Sequence, residues 1–358
     1  MRHRSAVPLL ATLGFSTLAG LASVPARAAI GWVGTTFPLR RGVSEFSDLI
    51  SPYPRLGKPV CFQMGTALSA RLITSDTSVT RWKITDAKLT RRATGEVLWQ
   101  VSNPGTAGTV TRATLWPLPA LPSWIDHCTL TIKHLTRRRD GTTQWHAAQS
   151  SEVFLVLDAP KPPQSPAWTP VLRHACSWAA GATTAEEAAV RLTEGLYARG
   201  TYNGGYWAYT SSSSDSGETF HLRDFLLDRR NLPSRFPYGQ CNDFADFLVC
   251  LHTAVGGFNI YAQRSNSYWS PGFYFNTLDP AGSLGPTTGG WNYHQFGIVG
   301  TAVWDSAAAI VGYGLPQGWE RDTTYKPRLV NRYFSGGAWT PTPASGFLPR
   351  VTTDPGPY

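Results

Sequence analysis

A proline-dense segment near the middle of the chain is the feature that most constrains its fold. Residues 159–168 have the sequence Ala-Pro-Lys-Pro-Pro-Gln-Ser-Pro-Ala-Trp. Proline fixes its own φ angle and removes a backbone donor, so this stretch cannot continue a helix or a central strand. We therefore expect a stiff, extended linker between two folding units, and 358 residues are ample for two cores.

The first unit, residues 35–158, shows the period of β-strands. Short runs of alternating or β-branched residues are separated by turn signals, with Gly95 and Gly141 at the turns of two similar hairpins. This pattern predicts an all-β sandwich of the immunoglobulin-like type. The runs are residues 60–64, 70–74, 80–90, 96–101, 109–116, 128–136, 142–146 and 152–157.

Residues 1–28 have the layout of an export signal. Arg2 and Arg4 precede an apolar stretch of small residues, and Ala26-Arg27-Ala28 forms a cleavage site. We expect a secreted or periplasmic protein whose mature chain begins at Ala29. No later segment is long and apolar enough to predict a transmembrane helix.

The charge balance is basic but dispersed. The formal charge of +9 comes from 32 Lys+Arg and 23 Asp+Glu, and removing the three signal arginines leaves 29 − 23 = +6. Such a charge favours solubility and mild attraction to acidic surfaces, such as cell-wall polymers or lipid headgroups. No basic helix or aromatic RNA-binding motif occurs, so we do not expect nucleic-acid binding. The histidines lack metal-ligand spacing, so we expect no metal and no cofactor.

In the second unit, Cys241 stands where a loop enters an amphipathic helix. Apolar residues follow it at helical spacing, and Gly256-Gly257 is a stop signal. The unpaired N–H groups and the positive end of a helix favour thiolate over thiol, and thiolate attacks carbonyls. The alternative is that Cys241 is half of a disulfide or an inert buried side chain.

His294 and Asp305 flank a predicted strand–turn–strand segment whose turn lies near Gly300. Across an antiparallel ladder the two residues become direct or diagonal neighbours. A carboxylate beside an imidazole fixes its tautomer and stabilises the imidazolium, which in turn activates a thiol. Cys241, His294 and Asp305 thus form a complete catalytic triad by role.

These residues resemble a known family. Gly239-Gln240-Cys241-Asn242-Asp243-Phe244-Ala245, followed by His294 and Trp304-Asp305, is similar to the transglutaminase-like superfamily of papain-type folds, over about residues 170–305. Family members often carry an aromatic residue directly after the histidine, where this chain has Gln295. The resemblance implies an α+β papain-type domain that attacks amide or peptide carbonyls and forms an acyl-enzyme.

The resemblance also implies an oxyanion site. In similar transglutaminases a tryptophan upstream of the cysteine donates its indole N–H, together with the backbone N–H of the cysteine. Trp207 lies where that tryptophan is expected; the alternative is that it packs against the cleft wall. Gln240 is a further candidate donor, as in papain-like enzymes, but it directly precedes the cysteine, so a purely structural role is the favoured interpretation.

Five cysteines leave one unpaired if two disulfides form. With Cys241 as nucleophile, the predicted disulfides are Cys61–Cys128 and Cys176–Cys250. The alternative is four reduced, buried thiols.

The sequence thus predicts an exported thiol enzyme acting on a protein or peptide substrate, including one attached to the cell wall. Whether the acyl-enzyme passes to water or to an amine stays open. One alternative is a catalytically silent transglutaminase-like fold that serves as a cell-surface or cell-wall binding module. Another is carbohydrate binding through coplanar exposed aromatics. The predicted organisation is signal peptide 1–28, β-sandwich 35–158, linker 159–168, catalytic domain 169–315 and Pro/Gly/aromatic tail 316–358.

Overall fold

A computed structural model describes most of the chain after the predicted signal peptide, and residues 1–28 lie outside it. The fold is mixed α+β and rich in strands. No helix in the part of the chain that the model describes is long and apolar enough to cross a membrane. The described residues are 29–40, 57–74, 76–102, 108–109, 115–199, 208–209, 215–216, 219–227, 238–267, 269–282 and 285–352.

The first unit contains two sheets. One has the strand order β1-β5-β9, and the other has the order β2-β4-β11-β10-β6-β7 with β8 beside β6. The strands are β1 Ala29–Val33, β2 Thr36–Phe37, β3 Leu39–Arg40, β4 Val60–Gln63, β5 Ser69–Ile73, β6 Val79–Arg91, β7 Val97–Ser102, β8 Gly108–Thr109, β9 Leu115–Pro117, β10 Asp126–Arg138 and β11 Thr143–Val156.

Alternation of side chains builds the core between these two sheets. Every second residue of β6 and β10 is buried over much of each strand, and Trp82, Ile84, Leu130 and Ile132 meet residues of the smaller sheet there. The segments predicted as two strands, 142–146 and 152–157, are both parts of the single strand β11. The alternation of apolar and polar residues therefore predicted correctly that the first unit is rich in β-strands.

The second unit continues from the linker. Its elements are β12 Ala167–Trp168, α1 Thr169–Trp178, α2 Ala185–Arg199, β13 Ala208–Tyr209, β14 Asp215–Ser216, β15 Thr219–His221, α3 Leu222–Leu227, β16 Tyr238–Gly239, α4 Cys241–Ala254, β17 Tyr261–Arg264, β18 Phe273–Pro280, β19 Thr287–Trp291, β20 Gln295–Val299, β21 Ala302–Trp304, β22 Ala308–Ile310, β23 Gln317–Glu320, a π-helical turn Arg321–Tyr325, α5 Lys326–Leu329, β24 Val330–Tyr333, β25 Thr342–Phe347 and β26 Arg350–Thr352.

Helix α4 is the centre of this unit, and all of its residues are buried. It packs on the five-stranded sheet β23-β21-β20-β17-β25 and on helices α1 and α2. A second sheet, β19-β18-β22 with β24 beside β18, shares an aromatic core with the five-stranded sheet through Phe273, Phe275 and Phe296. This arrangement holds the start of α4 next to the β20–β21 hairpin.

The linker is not the extended spacer that its prolines predict. The backbone N–H of Lys161 donates to the Thr253 carbonyl at 2.8 Å, and Gln164 is fully buried. Gly256 ends α4 with φ +68°, and a Cβ at this position would collide with the Asp158 carbonyl. The prolines therefore shape a turn that packs against the end of α4.

Residues 316–352 are part of the second unit rather than a tail. Strand β25 pairs with β17, β24 pairs with β18, and β26 pairs with β15. Tyr325 and Leu329 are buried in the core between the two sheets. The strands are short and interrupted by Gly and Pro, so their local pattern is weak and distant partners determine their structure.

The predicted disulfides are absent: all five cysteines are buried free thiols. Cys61 lies opposite Phe154 and Cys128 opposite Val153, on the two strands that flank β11. Strands lie about 4.8 Å apart, so two strands on either side of a third are too far apart for a disulfide. Cys176 points at the Leu155 carbonyl and is not joined to Cys250.

Candidate active site

Cys241 is the first residue of α4, as its helical pattern predicts. Gln240 is the N-cap, and its backbone N–H donates to Oδ2 of Asp243 at 2.8 Å in a capping box. As the first helical residue, Cys241 has a backbone N–H without an acceptor inside the helix. The cysteine is only 2% exposed. Its sulfur is thus placed at a positive helix end and is shielded from bulk water.

His294 and Asp305 are joined by a hydrogen bond of 2.8 Å between Nε2 and Oδ2. They stand just outside the ends of β20 and β21, which pair from Gly297–Trp304 to Val299–Ala302 around a turn at Gly300. Gly300 has φ +63°, a conformation that favours glycine. The hairpin predicted from the sequence therefore brings the two side chains together, and both are buried.

The environment of His294 stabilises its charged form. Burial alone would lower the pKa of this imidazole, but the charge and hydrogen bond of Asp305, with the neighbouring Cys241 thiol, raise the pKa to about 10. Nε2 of His294 is hydrogen-bonded to Asp305, so Nδ1 is the ring nitrogen that remains for the Cys241 thiol. Nδ1 is buried and has no hydrogen bond of standard geometry among the described residues. The imidazole is therefore a cation at neutral pH, a state that favours an adjacent thiolate.

Two further contacts fix the orientation of His294. The indole of Trp291 stacks on the imidazole with ring centroids 4.3 Å apart and planes 8° apart. An indole face also attracts a cation, so this stacking favours imidazolium. The backbone of His294 is held by Ser265, whose Oγ accepts from the His294 N–H at 2.8 Å and whose N–H donates to the His294 carbonyl at 2.7 Å.

Gln240 connects the start of α4 with the histidine loop. Its Oε1 accepts a hydrogen bond of 3.1 Å from the Tyr293 hydroxyl, so the side chain is turned towards the segment that carries His294. This contact gives Gln240 a positioning role at the site. Trp207, the other candidate for the oxyanion site, lies outside the described residues.

Tyr325 is a site residue that sequence reasoning missed. Its hydroxyl donates to Oδ2 of Asp305 at 2.8 Å, the same oxygen that binds His294. Oδ1 of that carboxylate accepts from the Ala307 N–H at 2.9 Å. Tyr325 lies in the segment predicted to be a tail, and nothing in its local pattern indicates a link to Asp305.

A buried polar chain behind the site was also missed. Nε of Arg264 donates to Oε1 of Gln295 at 2.8 Å, and Nε2 of Gln295 donates to Oδ1 of Asp246 at 2.7 Å. All three side chains are buried. Gln295 thus ties the strand after His294 to helix α4. The sequence does hold one signal for this polar chain. Asp246 and Gln295 are polar residues at positions of a helix and a strand where the pattern is otherwise apolar.

His252 lies at the opposite end of α4 from Cys241 and is not one of the candidate triad residues. His252 is fully buried near Phe258 and Trp304, and burial lowers its pKa to about 3. No cluster of three or more His, Cys, Asp or Glu side chains among the described residues could hold a metal ion.

Exposed aromatics do not form a coplanar platform in the described parts of this unit. Tyr274 and Phe334 are in contact, but their planes are 80° apart. Trp269 is 95% exposed. This geometry does not support the carbohydrate-binding alternative.

No protein-family model matches this chain, and no curated protein matches it.

Proposed function

We propose that this chain is an exported thiol enzyme with a transglutaminase-like catalytic domain that acts on amide or peptide carbonyls. Cys241 is the nucleophile, His294 the proton shuttle and Asp305 the residue that orients His294. The observation that carries the proposal is the buried His294–Asp305 hydrogen bond of 2.8 Å beside the thiol at the start of α4.

The reaction follows from these positions. The Cys241 sulfur attacks the carbonyl carbon, and the charge that develops on oxygen is stabilised by the Cys241 backbone N–H at the positive helix end. The imidazolium of His294 then gives its proton to the leaving amine, whose C–N bond breaks. The resulting thioester is attacked by water in a peptidase or amidase, or by an amine in an acyl transferase, with neutral His294 accepting the proton. Trp207 is the second proposed oxyanion donor.

Electrostatics support these roles. Burial lowers the pKa of His294, but Asp305 and the neighbouring Cys241 raise it to about 10, so this imidazole holds a proton that it can give to a leaving amine. In contrast, burial raises the pKa of the Cys61, Cys128, Cys176 and Cys250 thiols well above their usual range. Those four thiols are protonated and poorly nucleophilic.

The second candidate function is a catalytically silent binding module of the same fold. One observation favours it: Cys241 is only 2% exposed, so a substrate must open a path to the sulfur. A module of this kind has no need of a buried Asp305 that accepts three hydrogen bonds around an imidazole. The enzyme is therefore our conclusion.

The test compares amine or ammonia release from peptide and glutamine amides by wild type, Cys241→Ala and Asp305→Asn. We expect no turnover by Cys241→Ala, since the nucleophile is lost. Asp305→Asn should retain some activity, because the thiol and the imidazole still meet. Circular dichroism verifies folding. Turnover by folded Cys241→Ala at the wild-type rate would rule out Cys241 as the nucleophile, and no turnover by the wild type would favour the binding module.

A further inference from the structure

The large sheet of the first unit has an outer face that is only partly covered. Residues directly opposite each other in an antiparallel ladder lie on one face. Near the C-terminal end of β11, Phe154 and Val156 of this face share a core with α1 and α4 of the second unit. Nearer the β10–β11 turn, the same face extends beyond the second unit and is exposed to solvent.

The open part combines five cations with two apolar side chains. Arg137 is directly opposite Arg81, and Leu135 stands between Lys83 and Trp145 in the next row. We call this surface the basic face. Its members are Arg81, Lys83, Lys88, Lys133, Leu135, Arg137 and Trp145.

None of the five cations of the basic face forms an ion pair with a described residue. Asp86 lies directly opposite Lys133 on the same face, and Glu152 lies further along it, opposite Thr129. Asp86 accepts instead from Gln100 at 3.1 Å, and Glu152 is bound by Arg173 and His127. Like charges directly opposite each other, such as Arg81 and Arg137, destabilise a sheet. A surface on which cations lie opposite each other is suited to binding an anion from outside the protein.

The apolar pair lies among these cations. Trp145 is 70% exposed although it belongs to a regular strand, and Leu135 beside it is half-buried. Tryptophan and leucine at the level of lipid headgroups, surrounded by Lys and Arg, are the side chains that bind a protein to the surface of an anionic bilayer. An open sheet face also presents them side by side, as a planar partner requires.

We infer that the basic face docks the protein on an anionic phospholipid surface. The cations contact headgroup phosphates, and Trp145 enters the interface between headgroups and acyl chains. Because the second unit packs on the other end of the same sheet face, it is held beside the membrane when the basic face is bound. This inference is independent of the proposed chemistry.

The test measures cosedimentation of the mature protein with vesicles. Wild type should bind vesicles of phosphatidylglycerol and phosphatidylcholine but not vesicles of phosphatidylcholine alone, and salt should weaken binding. Each cation near an anionic bilayer contributes roughly fivefold in affinity, so Arg81→Gln/Arg137→Gln should bind about 25-fold more weakly. The matched control is Arg332→Gln/Arg350→Gln, which removes the same charge from exposed sites of the second unit and should retain binding.

A second pair of variants tests the aromatic contact. Trp145→Ala should weaken vesicle binding, whereas Trp269→Ala, which removes a more exposed indole from the second unit, should not. Circular dichroism verifies the fold of each variant. The inference is overturned if wild type does not bind anionic vesicles, or if Arg332→Gln/Arg350→Gln loses as much binding as Arg81→Gln/Arg137→Gln.

Discussion

The hydroxyl of Tyr325 donates a 2.8 Å hydrogen bond to Oδ2 of Asp305. The same oxygen accepts a hydrogen bond from His294. The hydroxyl of Tyr325 therefore weakens the attraction between the Asp305 carboxylate and the His294 imidazolium. The segment 316–352, which has no obvious pattern in the sequence, is therefore connected to the candidate site by a buried hydroxyl, and also by the Pro316 carbonyl, which accepts from the Asp305 N–H at 3.0 Å.

Tyr325→Phe tests this connection. A hydrogen bond to a charged group contributes roughly 1.5–3 kcal/mol, so we expect a loss of about 10- to 100-fold in kcat/KM. Without the phenol, Asp305 attracts the imidazolium more strongly, and the pKa of His294 should rise further above its present value of about 10. Nitrogen NMR of the imidazole measures that shift.

The matched control is Tyr333→Phe, which removes a hydroxyl from a partly exposed tyrosine of β24. It should change neither kcat/KM nor the histidine titration. A loss of stability in Tyr325→Phe with an unchanged titration would show that Tyr325 acts only in packing.

Gln295→Leu tests the buried polar chain behind the site. In the wild type, the Gln295 amide accepts a hydrogen bond from Arg264 and donates one to Asp246, and all three side chains are buried. The substitution removes both hydrogen bonds. We expect a loss of about 3 kcal/mol in the free energy of unfolding, measured with urea.

Gln100→Leu is the control for this substitution, because Gln100 makes a comparable hydrogen bond to Asp86 on an exposed strand. It should change the free energy of unfolding by no more than about 0.5 kcal/mol. Similar losses in the two variants would argue against a special role for the chain Arg264–Gln295–Asp246.

His252 provides a pH-dependent prediction. Burial lowers the pKa of the His252 imidazole from 6.5 to about 3. Between these two pH values the imidazole is protonated in the unfolded chain but neutral in the folded protein. Stability should therefore fall as pH decreases from 6.5 towards 3, by about 1.4 kcal/mol per pH unit from this residue. His252→Leu should reduce the slope of unfolding free energy against pH by that amount. An unchanged slope would contradict the prediction.

The first unit could be predicted because its strands carry their own signal. Long strands such as β6 and β10 alternate buried and exposed residues, and Gly141 marks the turn from β10 to β11. The start of α4 was equally clear, since a loop gives way to a helical period at Cys241. In both cases the information is local.

The remaining features depend on partners far apart in sequence. Tyr325 meets Asp305 across 20 residues, and Gln295 meets Asp246 across 49. The free thiols depend on strand order: β11 inserts between the strands of Cys61 and Cys128. None of these contacts has a periodic signature, so only the assembled fold reveals them.

The central claim is that Cys241 is an activated thiol paired with His294. The most direct test is brief reaction of the native protein with iodoacetamide, followed by peptide mapping by mass spectrometry, in wild type and in His294→Ala. We predict rapid labelling of Cys241 alone in wild type and much slower labelling of that residue in the variant. Label on Cys61, Cys128, Cys176 or Cys250, or an equal rate at Cys241 in both proteins, would contradict the claim.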